Sequence, residues 1–449
     1  MIWPKGAREA RLAKVSRADQ RSEFARDRDR ILYSSAFHRL SGITQIVRAG
    51  ELDIFHTRQQ HTYKVAQIGR RLAEHCLASQ PDEAAHHGIE PEVVEAACLA
   101  HDLGHPPFGH AAEKALDAAV QGSGDSDGYE GNAQTFRILT KLAVRYAADA
   151  SHGLDLTRAT LAATLKYPWL RDHDDEKKKG KWSAFTTETD AFSWVREHLA
   201  RDEKTAEAQL MDWADDIAYS VHDLEDFHRA GIIPWEEVLS DANRTSVVNA
   251  VVDDWFGAPA NAAARIRDAL DRVNLIMVPF PAVRSERYDG SREQRRQLRN
   301  LTSILIGRYV KGAVELLPAG ADCSVRIGEE SADEVRLLKH MARRYVIGLP
   351  ALSAQQYGQK RVVKDLFDIF IEAGQSGKLD ILPARLRYIW HDHANDGPPR
   401  LAADCIATLT ENEALQLHRR LMGIESGSVL EPIVREGVVG AILEFVSRA

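Results

Sequence analysis

Within ten positions this chain places an adjacent His-Asp pair, His101-Asp102, and two further histidines, His105 and His110. The pair ends the apolar run Ala97-Cys98-Leu99-Ala100, and a loop broken by Gly104, Pro106, Pro107 and Gly109 carries the other two. Imidazoles and a carboxylate at this density offer metal ligands, proton carriers and a cation for phosphate in one place. The chemistry they suggest is metal-dependent hydrolysis. The dipeptide alone is not specific, since it recurs at His173-Asp174, His222-Asp223 and His391-Asp392. The pairs at 173 and 391 sit in charged, turn-rich segments and read as solvated loops. His101-Asp102 differs by context: an apolar helix running into a Gly/Pro loop holds a ligand pair at the edge of a core.

A divalent ion needs further ligands. His61 opens the amphipathic segment Thr62–His75, three residues after Arg58, a cation of the kind that accompanies a phosphate-binding metal. A second donor lies in the helix Ala206–Arg229. There Asp215, Tyr219 and Asp223 are spaced i, i+4, i+8 and share a face, because each step drifts only about 40°, whereas Asp216 points about 100° away. Trp213, Ala214, Ile217, Ala218 and Val221 mark this helix as largely buried, and a buried carboxylate must be paired or bind a cation. His61, His101, Asp102 and Asp215 would form a mixed imidazole–carboxylate site with room for water. Such a site suits Mn²⁺, Fe²⁺ or Mg²⁺ better than a closed tetrahedral zinc site. His110, with Glu113 three residues on, resembles an oriented general acid or base.

The elements that must position these groups are helices. Apolar residues three and four apart recur over Thr62–His75, Glu90–Leu99, Ala112–Ala119, Ala133–Ala150, Thr157–Leu165, Ala206–Arg229, Ala260–Leu275, Asp333–Val346, Arg361–Ala373 and Glu411–Met422, so the fold class is mainly α. Asp155 and Thr410 stand where N-caps are expected. Strand-like alternation is confined to a short hairpin around Cys323–Ile327. Gln121–Gly128 and Asn395–Pro399 read as loop and turn, and Arg171–Lys181, an acidic run followed by lysines, reads as a solvated excursion. The simplest division is an arm over 1–30, a helical core over 31–230 and a helical C-terminal region over 231–449. The chain is 44% hydrophobic and 28% charged, which makes it globular. No apolar run reaches the roughly 18 residues of a membrane span, and the Arg- and Asp-rich start lacks a signal-peptide core. Cys76, Cys98, Cys323 and Cys405 show no CxxC spacing, which fits a reduced cytoplasm and argues against structural zinc. A net charge of −8 argues against a general nucleic-acid coat, without excluding a local basic groove.

Taken together these segments resemble the deoxyguanosinetriphosphate triphosphohydrolase family of the HD-domain superfamily. The similarity runs through Asp27–Ile31, Ala36–Leu40 with Thr44-Gln45, Thr57–His61 with Val65–Arg70, His101–His110, Glu130–Arg137, Leu165–Trp169 and Ala214–Ser220, in the family's order, with weaker echoes at Tyr357–Arg361 and Asp404–Thr410. The resemblance implies an HD-domain helical core and hydrolysis of a deoxynucleoside triphosphate, dGTP or several dNTPs, to the deoxynucleoside and inorganic triphosphate. It implies that His61, His101, Asp102 and Asp215 hold the metal and that His110, supported by Glu113, is catalytic. It further implies that Arg58, His105 and Lys166 contact phosphate, that Tyr219 and Asp223 contact the sugar, and that Gln45 and Asn132 belong to the substrate pocket. It also implies a homo-oligomer, with a hexamer favoured, and a dNTP activator; single-stranded DNA binding as a secondary activity stays open beside these. The chain departs from the family's pattern at His38, at Gln59-Gln60 and over Arg171–Lys181. Two other readings stand beside this one: a different HD-domain phosphohydrolase, such as a 5′-nucleotidase or a phosphodiesterase, and a nucleotide sensor or single-stranded DNA binder that keeps the fold.

Overall fold

The computed structural model describes residues 3–4, 6–13, 20–45, 56–145, 152–200, 202–255, 257–284, 287–312, 314–318, 324–347 and 350–426. Among them the chain is mainly α, as its periodicity predicts. The one sheet is an antiparallel pair, Val314–Leu316 with Val325–Ile327. Cys323 itself lies outside the described residues. No helix among the described residues is long and apolar enough to cross a membrane.

The elements that bear on the site are α1 (Glu23–Leu32), α2 (Arg58–Ser79), α3 (Pro91–Ala100), α4 (Gly109–Gly122), α5 (Gly131–Arg137), α6 (Arg158–Ala163), α7 (Ala206–Ala218), α8 (Glu329–Ala342), α9 (Pro350–Ser376), α10 (Pro398–Ala407) and α11 (Glu411–Leu421). α2 starts earlier than its apolar pattern because Thr57 and Gln60 form a capping box, so Arg58 and His61 share its first turns. Thr410 and Glu413 do the same for α11, as expected. The cap expected at Asp155 is instead Thr157, whose side chain accepts from Thr160 N. Asp155 is left-handed, with φ 50°, and its carboxylate accepts from Ala13 N. The long helix expected over Ala133–Ala150 is cut short: α5 widens into a π turn over Ile138–Leu142 and Ala143 is extended. Residues 146–150 lie outside the described part. The helix over Ala206–Arg229 also carries a π turn, Tyr219–Asp223, between α7 and Leu224–Arg229. His391 and Asp392 are exposed, as expected, but they end the helix Ala384–Asp392 and are not in a loop.

Two apolar clusters organise the packing. The first joins Val65 and Leu72 of α2, Val94 and Cys98 of α3, Leu161 of α6, Leu210 and Ile217 of α7 and Leu338 of α8. The second joins Ala112, Leu116 and Val120 of α4 to Val363, Phe367 and Phe370 of α9, Ile406 of α10 and Leu417 of α11. The apolar face of α4 therefore packs with the C-terminal helices, although α4 lies between α3 and α5 in the chain.

The segment from His101 to Phe108 passes between the clusters and is held from both sides. Buried Arg39 donates to the carbonyls of Leu103 and His105 and to that of Leu409. Tyr129 donates to the Gly104 carbonyl at 2.7 Å. A Cβ on Gly104 would stand 2.1 Å from the Gly131 carbonyl oxygen, so only glycine lets the loop lie against α5. The fully buried Arg137 donates from Nε and Nη2 to both oxygens of Asp404, from Nη2 also to Asp396 and from Nη1 to Glu188. Removing one member of a buried ion network leaves an uncompensated charge, at about 3–5 kcal/mol. Arg137→Met, which leaves the buried Asp404 carboxylate without a cation, is expected to lower unfolding free energy by about that amount, measured by urea denaturation.

Candidate active site

Three helices aim ligands at one point. The ligand atoms of His61 on α2, of His101 at the end of α3 and of Asp102 lie within 4.8 Å of one another. Asp215 on α7 completes the group: its Oδ1 is 3.2 Å from His61 Nε2 and 3.6 Å from His101 Nε2. His101 Nδ1–H donates to the Cys98 carbonyl at 2.6 Å, which turns the Nε2 lone pair inward. That Nε2 is buried without a hydrogen-bond partner and faces Asp102 Oδ2 at 3.5 Å. A buried lone pair surrounded by carboxylate oxygens calls for a cation between them, so the donor set fits a divalent ion with N and O ligands.

Protonation states agree. Burial pushes His61 down, which keeps it neutral and able to donate a lone pair. Burial alone would raise the Asp102 carboxyl, but His101, Arg58 and His105 hold it well below the usual carboxylate range. Lys166 and the two histidines do the same for Asp215 against the same upward push.

Cations ring the cluster. Arg58 donates to Asp102 Oδ2 at 2.7 Å. Lys166 donates to Asp215 Oδ2 at 2.9 Å and lies 2.9 Å from Asp212, whose carboxyl is lowered to about 2. His105 is not a cation: burial, then Arg58, push it down to about 4, so it is neutral near pH 7. At the start of α4, His110 meets Glu113 with Nδ1 2.7 Å from Oε2. His110 and Lys181 hold Glu113 ionised against burial. Its other oxygen accepts from Gly131 N, and Lys181 bridges it to Glu130 at 2.6 Å.

These groups open into a cavity of about 290 Å³ whose wall includes Gln45, Arg58, His101, Asp102, His105, His110, Asn132, Lys166, Asp215 and Tyr219. His61 and Glu113 stand just behind that wall, and both are buried. Of the residues singled out in the sequence, Asp223 is not on the wall. Asp215 and Tyr219 share the cavity, whereas Asp223 closes the π turn that begins at Tyr219 and is buried off the wall. Its carboxyl is buried beside Asp226 and pushed well above the usual range. Asp216, turned off the ligand face as expected, pairs with Lys339.

Sequence reasoning missed several wall residues. Lys181 belongs to the run read as a solvated excursion, yet it reaches the cavity, and Arg171 at the other end of the run lies over Trp182 and binds Asp117. The signal that could have found Lys181 is the apolar return Trp182-Ser-Ala-Phe185 directly after it. Glu411 was also missed; it accepts from Thr44 N and from Phe108 N and ties both segments to α11. Also missed are Tyr167 and, on α9, Leu352, Gln355, Gln356 and Gln359.

Comparisons with known proteins agree with this geometry. The HD domain family matches residues 58–220, and the phosphohydrolase-associated domain family matches 325–420. Relatives named deoxyguanosinetriphosphate triphosphohydrolase-like protein include one from Streptomyces coelicolor, 38% identical over 90% of this chain and 93% of its own. Another, from Bifidobacterium longum, is 37% identical over 90% of this chain and 83% of its own. A third, from Shewanella loihica, is 30% identical over 93% and 96%. Identity of this order along nearly the full length, with the HD match spanning all four candidate ligands, leads to one assignment: the chain belongs to the deoxyguanosinetriphosphate triphosphohydrolase-like family of HD-domain proteins.

Proposed function

We propose that this chain hydrolyses deoxynucleoside triphosphates to the deoxynucleoside and inorganic triphosphate, with Mn²⁺, Mg²⁺ or Fe²⁺ held by His61, His101, Asp102 and Asp215. One juxtaposition carries the reading: His101, Asp102 and Asp215 of the ligand cluster, the cations Arg58, Lys166 and Lys181, and His110 all border one cavity. A chain of three phosphates uses that many positive groups, whereas a monophosphate or a cyclic phosphodiester does not. When bound, the ion supplies Lewis-acid polarisation of a phosphoryl oxygen and offsets its charge.

The chain's own residues do the rest. Arg58, Lys166 and Lys181 bind phosphate oxygens, and neutral His105 adds an N–H donor. Water adds at the α-phosphorus and the 5′ oxygen leaves with a proton. With its Nδ1 fixed on Glu113, His110 has Nε2 free to move that proton at the α-phosphate. Tyr219, whose phenol burial keeps protonated, forms the wall against the sugar and leaves no room for a 2′-hydroxyl. Gln45 and Asn132 complete the substrate contacts.

Incubation of the purified chain with dNTPs and Mn²⁺ is expected to release inorganic triphosphate, resolved by ion chromatography; release of pyrophosphate or monophosphate instead overturns the reading. His110→Ala is expected to lower kcat by about 10²–10⁴-fold and to leave Mn²⁺ binding unchanged when the free ion is followed by electron paramagnetic resonance. Asp102→Ala is expected to lose both turnover and ion binding. Lys181→Met, which removes a charge-assisted phosphate contact, is expected to raise KM for the dNTP by about tenfold or more, read from initial rates.

A further inference from the structure

The charged residues on the cavity wall are committed around the ligand cluster. Arg58 is on Asp102, Lys166 on Asp215, Lys181 on Glu113 and Glu130, and Glu411 on Thr44 and Phe108. What α9 contributes is different in kind. Leu352, Gln355, Gln356 and Gln359 line the cavity, and the stretch from Pro350 to Gln359 contains no charged residue. Gln356 and Gln359 are three residues apart and lie on one helix face. Both are half-buried, and neither has a hydrogen-bond partner among the described residues. Across the cavity wall, Gln45 Oε1 is buried and also unpartnered.

We propose that Gln356 and Gln359 face the nucleobase and make the site tolerant of all four bases, an inference that rests on the triphosphohydrolase reading above. An amide carries one acceptor oxygen and two donor hydrogens, and rotation about its terminal torsion presents either at the same place. Every base edge offers donors, acceptors or both, so a turning amide finds a match on each. A carboxylate would accept from guanine N1–H and N2–H₂ and reject bases lacking that pair, and a guanidinium would select guanine O6 and N7. A fixed bidentate contact of that kind discriminates by about 5- to 150-fold. Neutral amides at a half-exposed wall do not impose it, because water bridges what they do not reach. Leu352 gives the base ring an apolar contact that every base accepts equally.

The test uses the full chain with Mn²⁺ and an equimolar mixture of dATP, dCTP, dGTP and dTTP. The relative rates at which each is consumed, followed by chromatography, give the ratios of kcat/KM. All four are expected to fall within about 5-fold of one another, below the discrimination of a single fixed bidentate contact; a larger preference for one base overturns the inference. Gln356→Glu and Gln359→Glu place a fixed carboxylate at these positions, and at least one is expected to shift consumption towards dGTP by about tenfold or more. Ratios unmoved in both variants overturn the assignment of these glutamines. If no dNTP yields triphosphate, the activity itself is overturned and the base assignment falls with it, a result distinct from selective turnover of one nucleotide.

Discussion

The structure depends on satisfying a buried, non-helical stretch of backbone. The residues from His101 to Phe108 are buried, yet they leave the helix that delivers them. Buried carbonyls outside regular structure must find partners elsewhere. Thr135 supplies one for His101, Tyr129 one for Gly104, and Arg39 serves both Leu103 and His105. The partners come from separate parts of the chain, so the loop acts as a node through which those parts are registered. Arg39 suits the task because its planar fork reaches several oxygens at once, including Leu409 O. It does so at a cost visible in its own chemistry, since burial without an adjacent carboxylate pulls it down to about 10.

The electrostatics of the cavity follow from the same crowding. Burial alone would neutralise its acids, yet Asp102, Asp215 and Glu113 remain ionised because each has a cation or imidazole against it. Burial does neutralise His61 and His105, whose opposing charges are too few. The result is a site in which the His61 imidazole keeps its lone pair, Asp102, Asp215 and Glu113 keep their charge, and Lys166 and Lys181 keep their protons. The wall thus sets Arg58, Lys166 and Lys181 against the carboxylates of Asp102, Asp215 and Glu411.

Much of this was legible in the sequence. The convergence of His61, His101, Asp102 and Asp215 follows from helical spacing plus the requirement that a carboxylate on a buried helix have a partner. The pairing of His110 with Glu113 follows from i, i+3 spacing once the loop has re-entered a helix. Asp223 lies off the wall because spacing tells which face of a helix a residue shares and not how far along that face the cavity reaches. Lys181 was hidden by composition: a run of lysines looks solvated whichever one of them turns inward. The glutamines of α9 carry no charge and no metal affinity, so only their position on the wall distinguishes them from surface residues.

The division into two apolar clusters bears on how such a protein can change over time. The ligands stand on helices of the first cluster, whereas His110 and Glu113 ride on α4, whose apolar face belongs with α9 to α11. The spacing between the candidate ligand cluster and His110 is therefore set at a seam and not within either half. The family boundaries at 220 and 325 do not follow that seam. A chimera joining the two matched regions from different relatives would keep every candidate ligand yet rebuild the contacts that place His110, so residues such as Val120 and Phe367 help to set the site's dimensions from a distance.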